Sequence, residues 1–136
     1  MCIFCSIVAG EIPAHKIYED EQTLAFLEIN PSSPGHTMVV SKEHIEDFMD
    51  LEREMMAPLM GSVQKVAKMI ERALGADNFT IGVNSGKIFG SHVEHVHVHV
   101  IPRVPGDGGH YLQGVVSKPM EGTLEEVAGK IIKNGN

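Results

Sequence analysis

The chain has 136 residues, 43% hydrophobic and 21% charged, the ordinary make-up of a globular chain long enough to bury a core. Eleven lysines and arginines against 18 acidic residues leave a formal charge of −7, which argues against a general nucleic-acid or anionic-membrane surface. No apolar run approaches the roughly 18 residues of a membrane span, the N-terminus does not read as a signal peptide, and two cysteines three apart make no disulfide framework, so a cytoplasmic, reducing location is the default expectation.

The chain opens on Cys2-Ile3-Phe4-Cys5. A thioredoxin-like redox pair would need a strand before it, for which there is no room. Half of a zinc site is the better reading, because this spacing suits two thiolates on one ion. His44 and His95 are the candidates for the other half. Ile17-Tyr18-Glu19-Asp20-Glu21 reads as a strand running into a turn, and Thr23–Leu27 as a second strand. Residues 28–36 form a loop rich in turn formers, and Thr37–Val40 a third, apolar strand. Two apolar strands about a polar loop are expected to lie antiparallel.

Between Leu51 and Leu74 apolar residues recur at intervals of three and four, one face of a long helix. Asp50 can cap it, Glu52 and Glu54 suit the positive end of its dipole, and Gly75 is a good stop. Pro58 removes one helical hydrogen bond, so a kink or a second start is expected near Ala57. The methionines at 55, 56, 60 and 69 read as core filling. Phe79–Val83 is a further strand, leading into the loop Asn84–Gly90. Residues 105–109 form another loop. Thr123-Leu124-Glu125-Glu126 is a capping-box signature, and Val127, Ala128, Ile131 and Ile132 give the last helix a short apolar stripe for packing. Strands, one long helix, more strands and a short C-terminal helix imply an α+β fold with an antiparallel sheet.

The most informative stretch is Gly90–Arg103, where His95, His97 and His99 alternate with Val96, Val98 and Val100. Side chains on a strand alternate faces, so the imidazoles are expected on one face and the valines on the buried one. Pro102 is expected to end the strand. Positions two apart are separated by roughly 6.6 Å, so a phosphate or metal ion could touch two of the rings but hardly all three alike. The pattern points to a metal site or to imidazole chemistry near neutral pH.

With φ an apolar residue, His-φ-His-φ-His-φ-φ, here His95–Ile101, resembles the signature of the histidine triad (HIT) superfamily of nucleotide hydrolases and transferases. Further segments match in order: Gly10-Glu11-Ile12-Pro13, Ser41-Lys42-Glu43-His44, the loops at 28–36 and 84–90, and Pro102-Arg103, which is shared with microbial members and diadenosine-polyphosphate hydrolases. The mammalian-type nucleoside phosphoramidases instead run into a short Gly- and Trp-containing tail, and this chain has no Trp; a microbial HIT hydrolase, a diadenosine-polyphosphate hydrolase and the histidine triad nucleotide-binding branch are the candidate groups. The resemblance implies one HIT domain over residues 1–136, an antiparallel sheet carrying one long helix, and a homodimer formed through that helix and a shared sheet. It implies ribose contacts at Glu28, where the family more often has Asp, with Ile29 beside it. It implies nucleotide or phosphate contacts at Asn84, Gly90, Ser91, His92, Val93 and His99. It also implies a single structural zinc on Cys2, Cys5, His44 and His95, with no catalytic metal.

The chemistry implied is attack by His97 on the α-phosphorus of an adenosine nucleotide derivative, a diadenosine polyphosphate or a nucleoside phosphoramidate, to give a nucleotidyl-histidine that water then releases. His99 would hydrogen-bond the phosphate or protonate the leaving group. Ser91 and His92 stand where relatives have Gln and then Ser or Thr, and His92 could itself pass a proton to the leaving group. Two other classes compete. One is a metal-dependent hydrolase with the three histidines as ligands, and the other is a nucleotide-binding interaction module. The partners expected are a purine nucleotide and a second copy of the chain, with no nucleic-acid polymer and no membrane.

Overall fold

The computed structural model describes residues 1–89 and 93–135. Five strands, β1 (Lys16–Glu19), β2 (Thr23–Leu27), β3 (Thr37–Ser41), β4 (Asn78–Gly82) and β5 (His97–Arg103), form one sheet in the order β1-β2-β3-β5-β4. Every neighbouring pair is antiparallel. Three helices complete the chain: α1 (Ile3–Val8), α2 (Arg53–Leu74) and α3 (Leu124–Asn134). The α+β class expected from the order of elements is the one found. No helix among the described residues is long and apolar enough to cross a membrane.

The two faces of the sheet are buried by different helices. On one face Ala25, Val39, Val98 and Val100 pack against Met55, Leu59, Val63, Val66 and Ile70 of α2. On the other, Leu24, Phe26, Met38 and Val40 pack against Phe4 and Ile7 of α1. Strands covered on both sides read as continuous apolar runs, which is why β2 and β3 are buried along nearly their whole length. β5 lies between β3 and β4. Its valines face α2, so His97 and His99 must face the α1 side.

Several expectations are corrected. β5 begins at His97, so His95 lies in the bend before the strand and not on it. Nor does Pro102 end the strand: it pairs with Phe79, and the strand runs on to Arg103. The Pro102 carbonyl accepts the Ser33 hydroxyl at 2.7 Å. In a strand the N–H and C=O of one residue point the same way, so the missing proline N–H faces the side where β3 has already ended at Thr37, and no ladder bond is lost. α2 starts at Arg53 after a 3-10 turn at Phe48–Asp50 and is continuous through Pro58. The missing bond falls near the exposed start of the helix, where Glu54 meets solvent. α1 went unanticipated, since six residues carry too little periodicity to register. α3 has its capping box, but none of its residues is buried, and Leu124, Ile131 and Ile132 stay exposed. It is not the packed helix its stripe suggested.

The turn between β1 and β2 is tied to α2 through Asp20. Its carboxylate accepts the Tyr18 hydroxyl, the backbone N–H groups of Gln22 and Thr23, the Thr23 hydroxyl, and the Ser62 hydroxyl from α2. Burial alone would raise its pKa, but these donors outweigh it and hold the carboxyl well below the usual range. The folded state therefore binds this proton more weakly than the unfolded chain does. The stabilisation is fully present above the unfolded value of about 3.9 and is lost as pH falls below it. Asp20→Asn is expected to lower the unfolding free energy at pH 7 by about 1–3 kcal/mol. In urea unfolding at stepped pH, the gap to wild type should hold from pH 7 down to about pH 5 and should narrow steadily as the pH falls below about 4.

Candidate functional site

β5 presents its imidazoles to α1, where Phe4 meets both His95 and His97 edge-on, with ring centroids 5.9 and 5.1 Å away. His97 is 5% exposed. Its Nδ1 lies 2.7 Å from the backbone carbonyl of His95. A carbonyl can only accept, so Nδ1 carries the proton and the lone pair resides on Nε2. His97 thus combines a basic nitrogen with a carbonyl placed to stabilise positive charge on the ring. This is the arrangement a histidine needs to act as nucleophile or base.

The next ring on the same face, His99, packs against His97 with centroids 5.0 Å apart. Opposite it in the register stand Met38 on β3 and Gly82 on β4. Its Nδ1 meets the Nε2 of His36 at 2.9 Å. His36 was not among the sequence candidates. It lies at the entry to β3, and its Nδ1 accepts the backbone N–H of Ser32 at 3.1 Å. Burial pushes the His36 pKa down, against a smaller upward pull from the Glu28 carboxylate. Neutral, and accepting on Nδ1, His36 donates from Nε2 to His99. The only signal for it in the sequence was position: a histidine closing the turn-rich loop just before an apolar strand. Gly35, at φ +89, sets that approach, because a side chain there would strike Leu74 and Pro102.

The first ring of the triad takes a different direction. His95 is fully buried, and its Nε2–H donates to the Ser41 carbonyl at 2.8 Å. Its Nδ1 lone pair therefore points at the Cys2 and Cys5 sulfurs, 3.4 and 3.6 Å away. His44 Nδ1 lies 3.3 Å from the Cys5 sulfur. One ligand atom from each of these four residues falls within 4.8 Å of the other three. Burial, then the neighbouring Cys2, raises the Cys5 thiol, while burial lowers the His95 imidazole. Two thiols and two imidazole nitrogens on one point, with the back of His95 held by a backbone carbonyl, match a closed tetrahedral zinc set with its outer hydrogen bond. The histidines of the triad do not form a ligand set together. Their Nδ1 and Nε2 bonds lead to different partners, and the metal-capable group among the described residues takes only His95.

The remaining candidates surround this face unevenly. The Glu28 carboxylate accepts the N–H of Asn30 at 3.0 Å, and its own N–H donates to the His36 carbonyl, so the 28–36 loop closes beside His36. Ile29 is 82% exposed. Asn84 is exposed just beyond β4, two residues past Gly82. Val93 packs on the α1-side core, and its carbonyl accepts the His95 N–H. Gly90, Ser91 and His92 lie outside the described residues. Asp47 was also missed by the sequence reading. Its carboxylate accepts the Ser85 hydroxyl and the Gly86 N–H, tying the loop after β4 to the segment before α2.

Comparison with known proteins agrees with this geometry. The family model for the HIT domain matches residues 9–106. A member of the HIT family from Bacillus subtilis, solved by crystallography, is similar at a TM-score of 0.84 and 36% identity over 98% of this chain and 96% of its own. A zinc-bound histidine triad family protein from Mycobacterium smegmatis is similar at a TM-score of 0.73 and 42% identity, over 79% of this chain and 78% of that one. An adenosine 5'-monophosphoramidase of Schizosaccharomyces pombe is 43% identical over 102 residues, 75% of this chain and 74% of that protein. With the matched segment running through the sheet, α2 and all three triad histidines, the chain belongs to the HIT family.

Proposed function

We propose that the protein is a nucleotide hydrolase acting at the α-phosphate of adenosine nucleotide derivatives, with His97 as the nucleophile. The observation that carries this reading is the protonation of the β5 rings: Nδ1–H of His97 held by a carbonyl, with Nε2 left basic. His97 Nε2 forms a bond to phosphorus, and the bond from phosphorus to the leaving group breaks, with the electron pair going to that group. His99, or His92, supplies it a proton. Water then attacks phosphorus and passes its proton to the imidazole that served the leaving group; the P–N bond breaks with its electron pair returning to His97 Nε2, and the nucleoside monophosphate departs. In this reading Glu28 and Ile29 serve the ribose, and Asn84, Gly90, Ser91, His92 and Val93 serve the phosphate. A phosphoramidate is the substrate class favoured here, on the likeness to the monophosphoramidase. His97→Ala is expected to keep nucleotide affinity and to lose turnover by several orders of magnitude. Wild type quenched during turnover of labelled substrate should carry labelled nucleotide on His97. Turnover undiminished in the variant would overturn the assignment.

Zinc belongs to this reading as a structural ion on Cys2, Cys5, His44 and His95, supported by the donor geometry and by the zinc-bound relative. When bound, it cross-links the N-terminus to the bend before β5. The chemical steps stay with His97 and His99. Two reduced thiols in such a set fit a reducing cytoplasm. Elemental analysis should find one zinc per chain, and Cys5→Ser should remove it and lower the melting temperature more than it lowers turnover. Metal-free wild-type protein of unchanged stability would count against the site.

A homodimer completes the proposal, with residues 1–136 acting as one domain. β4 is an edge strand. Together with α2 it borders an open groove of about 560 Å³ lined by Met60, Val63, Ala67, Phe79 and Ile81. Apolar side chains beside an unpaired edge are the surface a second copy would cover. Ile81→Glu should shift sedimentation from dimer to monomer. A wild type that sediments as a monomer would remove this part of the reading.

A further inference from the structure

We propose that Asp47 is a positioning residue for the phosphate: its carboxylate holds Ser85 and Gly86, and so sets where the loop that begins at Asn84 presents its donors to the α-phosphate. The inference rests on the hydrolase reading above, in which that loop serves the phosphate. It adds a residue that lies outside both the loop and the triad.

Asp47 stands half-buried in the segment between β3 and α2. Its Oδ1 accepts the Met49 N–H at 3.0 Å and the Ser85 hydroxyl at 2.5 Å, and its Oδ2 accepts the Gly86 N–H at 2.7 Å. The Met49 bond caps the 3-10 turn that leads into α2. The other two bonds reach 38 and 39 positions along the chain, to the loop after β4. Hydrogen bonds to a carboxylate are short and roughly twice as strong as neutral ones. They fall where the backbone has no other hold. β4 has ended at Gly82, opposite His99, so the sheet ladder does not fix residues 85 and 86. Gly86 is moreover at φ +100, a conformation that glycine enters freely and other residues rarely adopt.

The return of the loop is fastened to the same segment. The Ile45 carbonyl accepts the Val96 N–H at 2.7 Å, just before β5 begins. Ile45 and Asp47 are near neighbours in the chain, so one short stretch sets the gap between the loop's start at 85–86 and its return at 96. Lys87 and Glu94 also face each other across it at 3.6 Å, but both side chains are mostly exposed. An exposed ion pair of this kind holds little, and the placement of the start falls to Asp47. Asn84 then takes its position from β4 on one side and from this carboxylate on the other. The charge of Asp47 works in the opposite sense, because a carboxylate repels an anionic ligand. A loss of phosphate affinity on neutralising Asp47 would therefore come from geometry and not from charge.

The experiment compares wild type, Asp47→Asn, Ser85→Ala and Glu46→Gln. Asparagine keeps Oδ1 for Met49 and Ser85 but sets an amide N–H against the Gly86 N–H. Ser85→Ala removes the hydroxyl alone. Glu46→Gln removes the same charge from the exposed neighbour and spares the bonds to the loop. Three readouts are taken: hydrogen exchange at the Gly86 and Val96 amides, dissociation constants for adenosine and for adenosine monophosphate, and kcat and KM for an adenosine phosphoramidate. In wild type the Gly86 amide should be protected, and the monophosphate should bind more tightly than adenosine. In Asp47→Asn, Gly86 should lose its protection while Val96 keeps its own. Affinity for the monophosphate should fall toward that for adenosine, with adenosine itself unaffected. There kcat/KM should fall by up to about 100-fold, the effect of a misplacement of roughly 1 Å. Ser85→Ala should move the same quantities the same way, by less, and Glu46→Gln should move none of them downward. Tighter binding of the monophosphate by Asp47→Asn would overturn the proposal, since the carboxylate would then act only as a repelling charge. So would equal losses for adenosine and the monophosphate, the mark of a merely structural role. An unprotected Gly86 amide in wild type overturns it even if Asp47→Asn does not fold. A wild type that binds both ligands alike overturns the hydrolase reading and this inference with it, whereas wild-type behaviour in Asp47→Asn overturns the inference alone.

Discussion

An imidazole taken out of water must have its ring nitrogens matched, donor to acceptor, or forfeit about 1–3 kcal/mol for each one left over. β5 forces this condition on the protein. It runs between β3 and β4, its valines buried under α2 and its histidines turned toward α1. No buried side-chain nitrogen or oxygen among the described residues lacks a partner. The ways in which that was achieved differ from ring to ring: a carbonyl two residues back for His97, a carbonyl on β3 for His95, and a second imidazole for His99. The same requirement of satisfied burial therefore yields three histidines with three different chemistries. One has a basic Nε2, one has a basic Nδ1 facing two sulfurs, and one has its Nδ1 occupied as an acceptor.

The alternation of His and Val was enough to place the valines in the core, because a period of two needs no knowledge of the rest of the chain. It was also enough to put His97 and His99 together. It was misleading at His95, where the pattern continues after the strand has stopped: the backbone there bends, and the His95 N–H is taken by Val93 only two residues away. A repeat in sequence says where side chains would point if the strand persisted. Only the pairing partner decides how far it persists, and β3 ends its pairing with β5 at Val40 opposite His97.

His36 was beyond reach for a related reason. Nothing local distinguishes it from a solvated loop histidine; its meaning comes from His99, 63 positions later. Cys2, Cys5, His44 and His95 were easier, since cysteine spacing and a family pattern both pointed to them, and the fold adds their convergence on one point. The long helix was plain from periodicity, yet the fate of Pro58 was not, because the cost of a missing bond depends on whether its orphaned carbonyl meets water. α3 shows the opposite limit. Its capping box is local and was readable, whereas what its apolar stripe packs against is a property of surfaces, and this chain buries none of it.

The strand order has a consequence for how the protein reaches its working form. β1, β2 and β3 are joined by short links and can assemble as a meander soon after collapse. β5 must cross from residue 97 to pair with β3, closing a loop of more than fifty residues that includes all of α2. Closing long loops is slow relative to forming hairpins. Glu28, His36 and His44 belong to the early part of the chain and His95, His97 and His99 to the late insertion, so neither half has a site of its own. The insertion of β5 between β3 and β4 is at once the step that completes the sheet and the step that creates the chemistry. A refolding chain should accordingly acquire helix and meander before it acquires any affinity for its ligand.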